Sequence, residues 1–245
     1  MSLGKSERMV FKKVFLTFDD GPGPKSQELA KLLKDNGVKA TFFMTGENIE
    51  RFPNAVRWIK TYGHTIGVHS YSHKPLATLT LKDAIRDIKK TAQLITRLTG
   101  RKPTLYRAPF GILTPEMRIV LKKHGLKHVD WSYDTLDWKN AEMKQKLNPI
   151  FISHRVKRGD VVLFHDGAAG RQQADEKKRG ENLLEAMPLI IWNLKQRGFS
   201  IEPLKKSIQF GQRLKYYARM LERHRRALKP ILYKLPKFGR KRKNQ

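Results

Sequence analysis

Short apolar runs alternate with amphipathic stretches from near the start of the chain to about residue 203. Val14-Phe15-Leu16-Thr17-Phe18 is β-branched and aromatic and too short for a helix, so it predicts a buried strand. Gly21-Pro22-Gly23-Pro24 turns the chain, and residues 26–36 then carry Leu29, Leu32 and Leu33 at helical spacing with Gly37 placed as a C-cap. The succession repeats with a strand over 40–44, a helix over 53–62 whose apolar face is Val56 and Ile59, and a strand over 64–68. Thr80, with Asp83 three residues on, opens the clearest helix, which runs through Ala84, Ile85, Ile88, Ala92, Ile95 and Leu98 to Gly100. A strand over 104–107 comes next, then a helix begun by Thr114-Pro115 with proline at its first position, and a strand over 126–131. Helices over 149–157 and 182–196 and strands over 161–164 and 199–203 complete the pattern.

Continuous apolar strands separated by amphipathic helices signify a parallel sheet covered by helices. Seven such units without a second composition regime predict one α/β domain over residues 11–206, closed or nearly closed as a barrel. Residues 1–10 form a leader or appended segment. From residue 207 the character changes: 212–228 has Leu214, Tyr217, Ala218 and Leu221 on one side of a helical pattern and Lys215, Arg219, Arg223, Arg225 and Arg226 elsewhere. Pro230 and Pro236 break the helical pattern beyond residue 228, and the chain ends in Arg240-Lys241-Arg242-Lys243. Residues 207–245 therefore read as a basic, helical C-terminal extension of the barrel.

Charge narrows the choice of partner. Lysine and arginine number 51 against 22 aspartates and glutamates, a formal net charge of +29 in 245 residues, which calls for an anionic partner. Nucleic acid is disfavoured, because the chain shows diffuse charge rather than a groove-entering helix or a stacking platform. An anionic membrane or a cell-wall polymer, met through the basic extension, fits better. The absence of cysteine excludes disulfides and thiolate metal sites. No run approaches the roughly 18 apolar residues of a membrane span. Nor is there an apolar signal-peptide region, so the sequence as written predicts no export by that route.

The polar residues that stand out all lie just past strands. They are Asp19 and Asp20 after the first, His69 and His73 after the third, Arg107 after the fourth, Asp134 and Asp137 after the fifth, and His165 after the sixth. In a parallel barrel those ends share one face, where active sites are built. Two imidazoles and a carboxylate make a divalent metal site with an open position. The other carboxylate can then serve as a base, the other histidine as an acid, and the arginine as an orienter.

Thr17-Phe18-Asp19-Asp20-Gly21, His69-Ser70-x-x-His73, Arg107-x-Pro109-Phe110-Gly111, Asp134-x-x-Asp137-Trp138 and Leu163-x-His165 resemble, in order and spacing, the five motifs of the polysaccharide deacetylase family. That family of carbohydrate esterases removes acetyl groups from chitin, peptidoglycan and related sugars. The resemblance implies a distorted (β/α)7 barrel and a metal-dependent hydrolase acting on N-acetylhexosamine glycans. It implies Asp20, His69 and His73 as ligands of a divalent metal, zinc first and cobalt or nickel next, and Asp19 as general base held by Arg107. His165 is implied as general acid supported by Asp137, the Phe110 amide as oxyanion donor, and Leu163 and Trp138 as the lining of an acetyl pocket. The sequence departs from the pattern at Thr65 and Val68, where Glu and Asn are common, and at Phe110, where tyrosine is common. Competing readings are a deacetylase or deformylase of a lipid-linked amino sugar at a membrane surface, and a silent relative that only binds glycan or anionic surface.

Overall fold

The computed structural model describes residues 12–142, 147–169 and 176–207; residues 1–10 and almost all of the basic extension lie outside the described residues. Strands β1 (Lys12–Asp19), β2 (Thr41–Met44), β3 (Thr65–Val68), β4 (Leu105–Tyr106), β5 (Lys127–His128), β6 (Tyr133–Asp134), β7 (Val161–His165) and β8 (Phe199–Ile201) form one sheet. All pairings are parallel, in the order β5-β4-β3-β2-β1-β7-β6, and β8 adds to the first residues of β1. Helices α1 (Ser26–Asp35), α2 (Gly46–Arg51), α3 (Pro53–Thr61), α4 (Leu81–Thr99), α5 (Pro115–Lys123), α6 (Asp137–Glu142), α7 (Pro149–Arg155) and α8 (Glu176–Gln196) join the strands. The result is the incompletely closed barrel that the alternation predicts, with the distorted (β/α) form that the resemblance implies: a curled parallel sheet whose two ends are β5 and β6.

Local chemistry accounts for most of the boundaries. Thr80 caps α4 by accepting the Asp83 amide, Gly100 ends it at φ +69°, and Thr114 caps α5 with Pro115 behind it. Three features depart from expectation. The strand expected over 126–131 is shortened to β5, and Tyr133 and Asp134, just past it, form a separate strand β6. Helix α2 has no apolar stripe to reveal it. Helix α8 begins at Glu176 rather than at residue 182, because its first turns bury the polar Glu176 and Arg179 instead of apolar side chains.

Strand periodicity separates two cores. Outward-facing Val14, Leu16 and Phe18 of β1 pack with Phe42, Phe164 and the helices, and Phe18 stacks on Phe42 and Phe164 at 4.9 and 5.6 Å. Inward-facing Phe15, Phe43, Leu105, Val161 and Leu163 join Val129, Trp131 and Leu204 in a smaller cluster that fills the barrel. Each large apolar side chain so buried contributes roughly 1.5–3 kcal/mol. Continuing the inward rows by two residues leads from Thr17 to Asp19, from Leu105 to Arg107 and from Leu163 to His165. Polar groups thus stand on an apolar floor at the C-terminal ends of the strands.

One buried histidine lies away from those ends. His64 Nδ1 accepts the Ala40 amide at 3.1 Å and Nε2 faces the Ala30 carbonyl at 2.9 Å, a pattern that requires the neutral ring with its proton on Nε2. Burial lowers its pKa, outweighing the Ala30 hydrogen bond. A depressed folded pKa gives stability that is complete above the unfolded value, about 6.5, and is lost as pH falls towards the folded one. His64→Gln keeps one acceptor and one donor without titrating. Its melting temperature is expected to fall less than that of the wild type between pH 7 and 5, and parallel declines would refute the attribution.

Candidate active site

Asp19 ends β1 facing inward, and its Oδ1 accepts Arg107 Nη1 at 2.7 Å. The same guanidinium donates to Thr17 Oγ1 at 2.8 Å, the Val129 carbonyl at 3.1 Å and the Asp130 carbonyl at 3.2 Å. It lies over the Phe43 ring, 4.2 Å from its centroid, and is fully buried. Four directed bonds and a ring face leave the arginine a single position, so Asp19 is fixed with it.

Alternation along a strand would turn Asp20 to the outside. Instead its backbone leaves the strand at φ +67°, a left-handed conformation that aspartate adopts more readily than most residues. The carboxylate therefore swings back over the barrel, with Oδ1 3.3 Å from His69 Nε2 and 3.1 Å from His73 Nε2. The candidate ligand atoms of the three residues all lie within 4.8 Å of one another. The close nitrogens are not directed as hydrogen bonds to Asp20 Oδ1, which is buried without a hydrogen-bond partner among the described residues.

The histidines are held from behind. His69 lies just past β3, and its Nδ1 is 2.9 Å from the Arg107 carbonyl, so Nδ1 carries the proton and the Nε2 lone pair faces Asp20. His73 sits at φ +54°, and its amide donates to Ser70 Oγ at 2.9 Å. Asp87 of α4 fixes the intervening loop by accepting the Tyr71 and Ser72 amides at 2.6 and 3.2 Å. Two oriented imidazoles and an orphaned carboxylate oxygen are the donor set of a divalent cation with open coordination positions. Burial alone would raise the Asp20 pKa, but His73, His69 and the more distant His165, where they carry protons, outweigh it and hold the carboxyl well below its usual range.

On the other side of β1, His165 ends β7. Asp137, at the start of α6, accepts His165 Nδ1 at 2.8 Å with one oxygen and the His165 amide at 2.7 Å with the other. Burial pulls the imidazolium pKa down, but Asp137, with Asp20 and Asp19 further off, raises it to about 9. Asp134 makes a different contact, accepting the Leu136 amide at 2.9 Å. Leu163 is buried in the inner cluster, two residues below His165. Trp138 is half-buried on the first turn of α6, with Lys139 Nζ 5.3 Å from its ring centroid. Phe110, at φ +59° in the 3-10 turn Pro109–Gly111, is partly exposed and holds its ring 4.8 Å from that of His73.

The structure adds residues that sequence reading passes over. Thr17 is the second anchor of Arg107, Asn48 of α2 grips the Asp20 carbonyl, and Asp166 lies buried beneath the turn at Gly21. Asp166 takes a close hydrogen bond from Ser26 Oγ, and burial raises its pKa to about 7. A Cβ on Gly21 would overlap its carboxylate, which explains the glycine after Asp20. The position of Asp166 directly after His165 is a signal that could have been read. Asn48 carries none.

Fold and triad together define a metal-binding α/β-barrel protein with the features of a hydrolase. The chain belongs to the polysaccharide deacetylase family, whose model matches residues 7–129. It is 34% identical over 204 residues to a peptidoglycan N-acetylglucosamine deacetylase of Bacillus cereus, covering 83% of this chain and 70% of that one. A chitooligosaccharide deacetylase of Azorhizobium caulinodans is 29% identical over 208 residues, covering 82% and 98%. Among solved structures, a family 4 carbohydrate esterase from Streptomyces lividans in complex with acetate superposes with a TM-score of 0.68 at 31% identity, covering 80% of this chain and 94% of that one.

Proposed function

We propose that this protein hydrolyses the N-acetyl groups of N-acetylhexosamine glycans of the peptidoglycan or chitin kind, with a divalent cation, zinc foremost, held by Asp20, His69 and His73. The observation that carries the reading is the placement of a second carboxylate, Asp19, whose Oδ2 lies 3.7 Å from the triad nitrogen His69 Nε2 while its Oδ1 is bound to Arg107. A purely structural metal site has no use for that neighbour.

A cation bound there supplies positive charge and Lewis acidity beside the scissile carbonyl. The chain's own residues then divide the proton transfers. Asp19, with one oxygen tied to Arg107 and the other turned toward the triad, removes a proton from the attacking water as the new C–O bond forms. The Phe110 amide, in its left-handed turn, donates to the developing oxyanion. His165, protonated at neutral pH and aligned by Asp137, gives its proton to the amine nitrogen as the C–N bond breaks, and acetate leaves. Leu163 and Trp138 offer the acetyl methyl an apolar wall. The excess of basic residues, 51 against 22, suits a substrate carried on an anionic wall or membrane surface.

The test is acetate release from N-acetylglucosamine oligomers and from peptidoglycan before and after chelation. Chelation should abolish release, and one equivalent of Zn2+, Co2+ or Ni2+ per chain should restore it. Release that persists through chelation would sink the reading.

A further inference from the structure

Asn48 touches neither a triad donor atom nor His165, yet it holds the backbone on both sides of the site. Its buried Nδ2 donates one hydrogen to the Asp20 carbonyl at 2.6 Å and the other to the Ala168 carbonyl at 2.9 Å. Its Oδ1 accepts Arg51 Nη1 at 2.7 Å, which orients the amide. Arg51 is held in turn by the buried Glu176, 3.0 Å from Oε2, and Glu176 also accepts the Ala168 amide at 3.2 Å. The two carbonyls belong to different parts of the chain. Asp20 is the residue whose left-handed backbone aims a carboxylate at His69 and His73. Ala168 lies three residues beyond His165, in the segment that also carries Asp166 under Gly21.

Rotating the Asp20 peptide plane would redirect its side chain. Only one other group among the described residues reaches that carbonyl, Thr45 Oγ1 at 3.4 Å, so the plane is set chiefly by Asn48. We infer that Asn48, braced by Arg51, is a positioning residue. It joins the strand end that carries the metal ligand Asp20 to the strand end that carries His165, and so sets the geometry of the metal site and its separation from the proton donor. This deepens the proposed function and rests on its reading of the triad.

The experiment uses the full chain, stripped of metal and titrated with Co2+ and Zn2+ alone. Wild type should bind one equivalent and show a cobalt d–d spectrum; if it does not, the metal reading itself fails and takes this inference with it. Asn48→Ala should remain folded, bind Zn2+ about 10–100-fold more weakly and show a shifted cobalt spectrum, with kcat reduced and KM little changed. Arg57→Ala, on the exposed face of α3, should leave all of these unchanged. A folded Asn48→Ala with wild-type cobalt spectrum and zinc affinity overturns the inference, whatever its melting temperature. Should Asn48→Ala fail to fold, Arg51→Met, which unbraces the amide but keeps it, should show the same spectral change at smaller amplitude. An unchanged spectrum and affinity in that variant would be equally decisive.

Discussion

Asp19→Asn is expected to bind the divalent cation as wild type does and to release acetate about 10²–10⁴-fold more slowly, the range lost with a general base. The amide is isosteric and its Oδ1 can still accept from Arg107 Nη1, so the floor of the site keeps its shape. What it lacks is an oxygen that can take a proton. The substitution does leave the guanidinium buried without its counter-charge, and this costs stability. The remaining bonds to Thr17, Val129 and Asp130 limit that cost. Acetate assays and metal titration on the same preparation separate the two effects, and activity near wild type would remove Asp19 from the chemistry.

The second large effect comes from the other half of the pair. In the metal-free protein, Arg107→Met should lower stability by about 3–5 kcal/mol, because it strands the Asp19 carboxylate in the barrel without its guanidinium partner. The carbonyls of Val129 and Asp130 lose a donor at the same time. Methionine can still fill the space over Phe43, so the loss is electrostatic rather than a cavity. The backbone carbonyl that orients His69 is untouched, and metal binding at saturating cation should survive. Urea unfolding should show a lower midpoint at unchanged slope. Arg107→Lys should rescue only part of it, since an ammonium cannot reach four acceptors spread over a planar fork. A midpoint within error of wild type for Arg107→Met would show that the buried pair contributes nothing to the fold.

The barrel was legible because its strands are apolar on both faces and its helices amphipathic, so the alternation reads directly from the sequence. It failed where polar groups replace that pattern. The first turns of α8 bury Glu176 and Arg179, and α2 buries Asn48, and no hydropathy rule marks a polar side chain as interior. Most of the residues that sequence singles out after its strands do converge: Asp19, Asp20, His69, His73 and Arg107 are linked by direct contacts, and the His165–Asp137 pair stands beside them where β7 pairs His165 in register with Asp19, while Asp134 turns to the Leu136 amide. Periodicity could not foresee how Asp20 joins Asp19, since the side chain returns only through a positive φ. Such a turn depends on a carbonyl clamp from a residue 28 positions away.

The gap between β5 and β6 also bears on the placing of Arg107. Between β5 and β6 the chain leaves the sheet, and the carbonyls of Val129 and Asp130 turn inward to Arg107 instead of serving a ladder. A continuous strand bridging β4 to β7 would close the cylinder and draw those two acceptors into its own hydrogen bonding. The guanidinium would then be short of the oxygens that hold it flat beneath Asp19. The seam in the barrel wall is therefore a hydrogen-bonding resource: the unsealed cylinder keeps Arg107, and with it the Asp19 carboxylate, in register.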